Sequence, residues 1–528
     1  MAISSVDFPH LIGSSYCYPS YPIDCQEAIN FEFIPIKSSG SPYKNMMIGT
    51  PGLIHLKFEL DGELLEEIPC LAKDGRIRGL FKCSTGFAGE SSPATIVVCG
   101  ESVYEIKNPN KGIYPLKRIN GSISSLSGFV SISECGNESG TDFPPTLVIA
   151  DGVNLYVVNM DTYEMKSLGT NMPLQPKFVT FLDERIYANG NSIADNTLGK
   201  PDDHVYWCAA NNPNEWNPLD YVAAATTLDP LKRVISVGGN LWMIGTETTE
   251  IWRTSSSSGS FDVPIQKIHG KSDGIGAING ECVASIRDKV FFVGGGSVGY
   301  AQAFMGSGTE IKSISTDAMN IEWSKYENIK DAVSFCYSDE GREYWVVTFR
   351  TQDVTWVYDI TADSWHKRSS RSIGDVWHAW NVMFCVRSFD MNIVGELNGK
   401  RLFKMAYNIY DEDGLPIVRM RRSPHLLKRG KLVRHASLTI DLECGQNALE
   451  YGQGKDPQIM LRAFDGGGRI PREERWKSSG KLGYYKRRVK WMRLGSTRDR
   501  VYEVRVSDPV KWVFLGARVE IEDSVGGV

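Results

Sequence analysis

Two catalytic patterns overlap in the stretch GGGSVG, Gly294 to Gly299. Read as G-x-S-x-G, it offers Ser297 as a nucleophile. Read as G-x-G-x-x-G, it offers a glycine loop for a phosphate. Both chemistries need a strand before the glycines and a helix after them, which together present the hydroxyl or the backbone amides. The strand KVFFV precedes them, but YAQAFMGSG follows, too short and glycine-broken for a good helix. The reading is a glycine-rich turn, with no catalytic residue assigned.

The 8 histidines are dispersed. His366 and His378 come nearest to a pair, with Asp375 close to His378, but no H-E-x-x-H occurs and no cysteine joins them at ligand spacing. No metal and no cofactor are expected. Two carboxylates could in principle flank a glycosidic bond, yet no local sequence picks out such a pair. Asn137 in NES fits a glycosylation acceptor, which would have no meaning in a cytoplasm.

The densest basic stretch runs from Tyr484 to Val506. Lys486, Arg487, Arg488, Lys490, Arg493, Arg498 and Arg500 alternate there with Tyr484, Tyr485, Trp491 and Tyr502. In a strand every second residue shares a face, so these cations are split between two sides. Three uses compete. Docking on an acidic protein surface ranks first, cross-strand pairing with Asp499 and Glu503 second, and direct contact with nucleic acid third. The seven cations are therefore the partner-docking candidates.

The bulk numbers limit what must position them. The chain has 528 residues, 42% hydrophobic and 11% aromatic, with 51 glycines. That is ample for a large core and excludes wholesale disorder. The 11 cysteines are scattered without a CxxC pair, which reads as reduced core thiols. No stretch approaches the roughly 20 apolar residues of a membrane helix. The start lacks signal-peptide character, so a chain made soluble in a cytoplasm is expected. The net charge of -5 hides an asymmetry. Pro416 to Val513 holds 23 Lys and Arg against 10 Asp and Glu, about +13, leaving about -18 elsewhere. Such a split suggests two faces with different partners.

An apolar residue followed at once by an aromatic recurs after turn residues. The copies are Val103-Tyr104, Leu155-Tyr156, Ile186-Tyr187, Leu241-Trp242, Val290-Phe291, Tyr344-Trp345 and Leu402-Phe403. With the Ile186 copy set aside, most intervals lie near 50 residues, about one four-stranded propeller blade. The fold class expected is all-β: a β-propeller with a smaller C-terminal β-domain. Six blades fit best, and seven if Val205-Tyr206 belongs to a separate blade. The rival is a row of β-sandwiches, which explains the strand spacing but not the recurrence. Thr355 to Arg368, TWVYDITADSWHKR, closes one unit in the manner of kelch-type blades, with Asp359 and Asp363 in the turn and Trp365 between blades. The best short helix is Asp317 to Ile329. The expected division is an extended, loop-like segment over residues 1–60, the propeller over 61–415, and a basic β-domain over 416–528.

Several stretches are similar to a known family. They include GTPGL (Gly49 to Leu53), DPLKRVISVGGNLWMIGTETTEIWRT (Asp229 to Thr254), RMRRSPHL (Arg419 to Leu426) and YGQGKDPQIMLR (Tyr451 to Arg462). The longest runs from Gly480 to Ala517. Together they resemble the packaged-DNA stabilisation, or tail nozzle, proteins of short-tailed bacteriophages of the Salmonella-phage type. The resemblance implies a structural virion protein and not an enzyme. It implies a homohexameric ring below the portal and its adaptor, which retains packaged double-stranded DNA and seats the tail needle and tailspikes. No small-molecule substrate is implied. The alternative is a propeller-based tail component that binds or cleaves glycans, and a third class is a nucleic-acid-binding regulator.

Overall fold

The computed structural model describes residues 3–20, 22–72, 75–135, 144–192, 203–224, 229–255, 263–295, 301–370, 372–373, 375–427 and 431–523. Ser297 and Asn137 lie outside the described residues. Among the described residues the strand Lys289–Gly294 is followed next by another strand, Gln302–Ser307.

Among the described residues, seven antiparallel sheets succeed one another along the chain. Blade 1 comprises Ile77–Lys82, Thr95–Cys99, Ser102–Ile106 and Ile113–Arg118. Blade 2 spans Ser131–Cys135 through Glu164–Ser167, and blade 3 spans Leu174–Leu182 through Asn212–Ala223. Blade 4 runs from Leu231–Val237 to Ile265–Asp273, and blade 5 from Ala284–Ile286 to Glu310–Ser313. Blade 6 runs from Ala332–Asp339 to Ser364–Arg368.

Blade 7 takes three strands from Val382–Ser388, Met391–Glu396 and Leu402–Ala406, and its fourth, Gly52–His55, from the other end of the propeller sequence. Its first strand packs on the first strand of blade 1, so the ring closes. Closing the ring through a borrowed strand ties the two ends together and removes a free edge. Gly52 is needed there because a Cβ would stand 2.3 Å from the Asp411 carbonyl oxygen.

The blade number is thus the upper of the two expected. Every copy of the apolar-aromatic pair sits in its own blade, and the Ile186 copy marks blade 3. Val205-Tyr206 adds no separate blade, because His204–Ala209 is the third strand beside Arg185–Ser192. The irregular spacing has a simple cause. The pair lies on the third strand in blades 1, 2 and 7 and on the second strand in blades 3 to 6. Both central strands are buried on both faces, so either one carries an unbroken apolar run.

The first strands face the ring axis. Around it lies a cavity of about 440 Å3 lined by Phe81, Phe129, Val179, Arg233, Ile235 and Phe384, among others. Trp365 fills the seam between blades 5 and 6: it is 3% exposed, stacks edge-on against Trp345 and Trp356, and donates to the Ile314 carbonyl at 2.9 Å. Asp359 caps the preceding turn by accepting from the Thr361 and Ala362 amides. The expected helix is real but short, Asp317–Trp323, with Thr316 as its N-cap.

The N-terminal stretch departs from its expected loop-like form. Ile3–Asp7 and the hairpin Phe31–Pro35/Asn45–Gly49 both join the C-terminal strand Val513–Asp523. That strand also pairs Val433–Leu442, which in turn pairs Val489–Thr497. Cys25–Ile29 joins a second sheet through Arg419–Arg422, Asp499–Val506 and Gln458–Asp465. The two sheets form a sandwich whose core includes Phe31, Met47, Leu438, Trp491, Tyr502 and Phe514. Phe31 is fully buried, with its ring 5.0 Å from that of Phe514. Burying such a side chain contributes roughly 1.5–3 kcal/mol. Neither end of the chain closes this core alone.

The second sheet is continuous with blade 6, because Ile29 pairs with Lys367 in parallel. Lys367 lies between Glu27 at 3.0 Å and Glu322 at 3.1 Å, with its ammonium 4.5 Å from the Trp356 ring. Burial opposes its charge, but the two carboxylates outweigh burial and hold its pKa above the ordinary lysine value. Asn30, at φ 57, donates to the Ser369 and Val418 carbonyls. Glu32 of the sandwich accepts from Tyr344 at 2.8 Å and Tyr407 at 2.6 Å, both on the propeller side. Burial pushes the Glu32 carboxyl up to about 7, against the two tyrosine hydroxyls. Finally, the hairpin Ser372–Ile373/Val376–Trp377 reaches out from between blades 6 and 7, and its Asp375 pairs with Arg462 and Arg505 of the sandwich.

Candidate docking surface

Six of the seven cations lie on one loop, one edge strand and the turn after it, and the seventh, Arg500, lies on the next strand. Residues 479–488 form the loop, Val489–Thr497 the edge strand, and Asp499–Val506 a central strand of the other sheet. Val489–Thr497 is paired on one side only. A positive φ at Arg493 and a register shift opposite His435 and Ser437 bend it, a common way to blunt an edge against further pairing.

Alternation sorts the residues. Val489 and Trp491 point into the sandwich, while Met492 and Arg493 face solvent. Lys486, Arg487, Arg488, Arg493 and Arg498 are exposed. Tyr484 and Tyr485 are exposed at 65% and 64%, so two of the four interleaved aromatics share the surface with these cations. The other two do not: Trp491 donates to the Arg475 carbonyl, and Tyr502 bonds His435 at 2.9 Å inside the core.

Two of the seven need correction as docking groups. Arg500 is 0% exposed, with Asp465 at 3.1 Å, and burial lowers its pKa. It sits on a strand whose residues are almost all buried, so no partner reaches it directly. Lys490 is partly exposed and engaged by Glu520 at 2.9 Å. The cross-strand pairing alternative fails for the exposed cations in the form expected. Glu503 pairs instead with Arg422 at 2.7 Å and Arg505 at 2.8 Å, and Asp499 with His425 at 2.8 Å.

The loop is held to the rest of the sandwich tip. Gly483 donates to the Gly445 carbonyl at 2.9 Å, and within the loop Arg487 donates to the Tyr484 carbonyl at 3.3 Å. Gly445 belongs to the connection that also carries Tyr451, 80% exposed. Aromatic rings and unneutralised guanidinium groups therefore sit together on a tip that is fixed by backbone hydrogen bonds. Such a mixture suits an acidic protein surface with some apolar content, because rings supply area and cations supply complementarity.

The candidates for chemistry scatter. His366 is buried, and burial pulls it down to about 3. His378 bonds Asp353 at 2.6 Å, while Asp375 serves the seam. Among the described residues no group of three His, Cys, Asp or Glu is placed to hold a metal ion. A cleft of about 880 Å3 beside blade 7 contains Glu396, but Arg401 and Asn381 outweigh burial and hold that carboxyl below its ordinary value. A carboxyl held ionised in this way is unsuited to donate a proton to a leaving group. No described helix is long and apolar enough to cross a membrane.

Sequence reading missed the seam residues Glu32, Arg462 and Arg505. Each looks like an ordinary strand charge, and only pairing across the chain reveals its role.

Comparison with known proteins agrees with both halves of the architecture. A family model described as bacteriophage P22 Gp10, beta-propeller, matches residues 140–410. A second, described as bacteriophage P22 Gp10, beta-sandwich, matches residues 419–522. No curated protein matches the chain. Solved structures that match include a mitotic checkpoint complex chain, at 10% identity and TM-score 0.36, covering 65% of this chain and 98% of that one. The N-terminal domain of Nup159 matches at 8% identity and TM-score 0.34, covering 67% and 99%. The computationally designed Ika8 protein matches at 11% identity and TM-score 0.34, covering 72% and 98%. The family match covers more than half of the chain, and the two descriptions name the propeller and the sandwich in the order found here. The chain belongs to the bacteriophage P22 Gp10 family, the tail nozzle and DNA-stabilisation proteins of short-tailed phages, and is a phage structural tail protein.

Proposed function

We propose that this chain is the nozzle subunit of a short-tailed phage. Six copies form a ring below the portal and its adaptor, close the DNA exit channel, retain packaged DNA and seat the tail needle and tailspikes. The role is mechanical and not catalytic. The observation that carries the reading is the family match across both the propeller and the sandwich. The closed propeller supports it, since seven blades locked by a borrowed strand make a stiff building block.

Charge supports a division of labour. A channel for pressurised DNA works best when it does not grip phosphates, because each neutralised phosphate would brake ejection. In this reading the acidic propeller region faces the channel. The basic sandwich tip, with Lys486, Arg487, Arg488, Arg493 and Arg498, docks on protein. A structure of the assembled tail with those cations lining the lumen would overturn the assignment.

The test of the whole reading is the mass of the purified protein, alone and after addition of portal rings loaded with adaptor. Joining the rings at six copies supports the nozzle role. Indifference to them removes it and favours the alternative of a tail component that binds or cleaves glycans, for which release of sugar from host surface polysaccharide would establish cleavage.

A further inference from the structure

One exposed hairpin on the propeller matches the sandwich tip in both charge and apolar content. The strands Lys57–Leu60 and Glu63–Leu65 turn through Asp61 and Gly62, both at positive φ, as a tight two-residue turn requires. The hairpin adds to the outer edge of blade 1 through a parallel pairing with Ile113–Arg118. Along it and just beyond it stand Glu59, Asp61, Glu63, Glu66 and Glu67, all exposed. Among the described residues none of the five forms an ion pair. Strand pairing sets Glu59 across from Leu64, which is 67% exposed, with exposed Lys57 on the same face, while Glu63 lies across from Leu60 on the other.

The sandwich tip is the reciprocal surface. Lys481, Lys486, Arg487 and Arg488 are exposed and, among the described residues, without an ion pair, and they share one loop with exposed Tyr484 and Tyr485. Within one chain the two surfaces do not pair with each other. With five carboxylates to one exposed lysine, Lys57, the hairpin and the residues just after it are anionic, with Leu64 exposed among them. Four cations and two exposed rings in one loop make the tip cationic and partly apolar. Salt screens charges beyond about 8 Å, so such patches gain from each other only in direct contact.

We propose that, between neighbouring copies of this chain, the acidic hairpin of blade 1 docks on the basic, aromatic sandwich tip. This rests on the ring reading above and names the surfaces that would build the ring. The contact is heterologous, joining two different patches, which is the kind of interface that closes into a ring when its rotation fits. The competing role for the hairpin charges is simply to keep the free edge of Glu63–Leu65 from pairing with other strands.

A charge-reversal set in the full-length chain separates these roles. One variant carries Glu59→Lys, Glu63→Lys and Glu66→Lys. A second carries Lys486→Glu, Arg487→Glu and Arg488→Glu. A third carries all six. Each is mixed with adaptor-loaded portal rings and its mass measured, after a thermal melt shows that the fold is kept. The expected result is loss of ring assembly in both three-site variants and recovery in the six-site variant. Assembly by either three-site variant at the wild-type level overturns the proposal, as does failure of the folded six-site variant to recover. Should the wild-type chain itself not assemble, the ring reading falls first and this interface falls with it. Wild-type assembly with no response to the reversals removes only the interface.

Discussion

The propeller and the sandwich solve the same problem with different chain economies. Six of the seven blades are each cut from one contiguous stretch, and neighbouring blades supply each other's cover. The sandwich core is assembled from both ends of the chain, with Phe31 and Met47 meeting Leu438, Trp491 and Phe514 across nearly the whole sequence. The propeller is thus a chain of local decisions sealed by one distant strand, Gly52–His55. The sandwich exists only after the distant ends have met. Local contacts form at a lower entropic cost than long loops do, so the propeller should order first and template the sandwich through blade 6.

The sharpest way to break this comparison is to open a core on each side. Trp365→Ala removes the indole between blades 5 and 6, and Phe31→Ala removes an N-terminal ring from the sandwich. Each should cost about 4 kcal/mol. Chemical unfolding followed by near-ultraviolet circular dichroism should show the first variant losing propeller packing and the second losing the sandwich at lower denaturant. Identical transitions for both would mean that the two regions unfold as one unit.

The next largest effect concerns the seam and depends on pH. Unfolded, Glu32 titrates near 4.5; in the fold burial moves it to about 7. The folded state therefore holds this proton over that window while the unfolded state has released it. The Glu32 contribution to stability should fall as pH rises from about 4.5 to 7 and then level off, by on the order of 3 kcal/mol. Glu32→Gln has no such proton. Its stability relative to the wild type should rise between pH 5 and 8 in urea melts, and a constant difference would contradict the assignment.

A smaller loss, about 2 kcal/mol, is expected for Lys367→Met, which leaves Glu27 and Glu322 facing each other without their cation. The figure is below that for a fully buried pair because these side chains keep some solvent contact. Limited proteolysis should report it as faster cleavage between the two regions. The smallest effect belongs to Asp375→Asn. Asp375 is 65% exposed, so its bridges to Arg462 and Arg505 should be worth less than about 1 kcal/mol. A large destabilisation would show that the hairpin carrying it, and not the two-sheet junction, holds the regions together.

The legibility of the fold followed the same divide. The apolar-aromatic pair marked every blade because each blade repeats the same buried central strands. The blade count was harder, since the pair moves between the second and third strands and shortens one interval. The N-terminal strands were hidden for a different reason. Cys25–Ile29 and Asn45–Gly49 are short, close to prolines in sequence, and partnered by strands hundreds of residues away. For the docking surface, the density of cations was visible but their exposure was not. Alternation predicted that they would be split, yet it could not say that Asp499–Val506 is a central strand that buries Arg500 while Val489–Thr497 is an edge.

By itself the sequence determined the all-β class, the repeating blade, the basic C-terminal region and the family likeness. These are properties of composition, periodicity and motif, which local chain chemistry writes directly. Only the tertiary structure decided how the ring closes, where the first fifty residues go, which cations remain free and which carboxylates become buried at the seam. Those outcomes depend on which distant strands pair, because pairing sets burial, and burial sets whether a charge is solvated, neutralised or available to a partner.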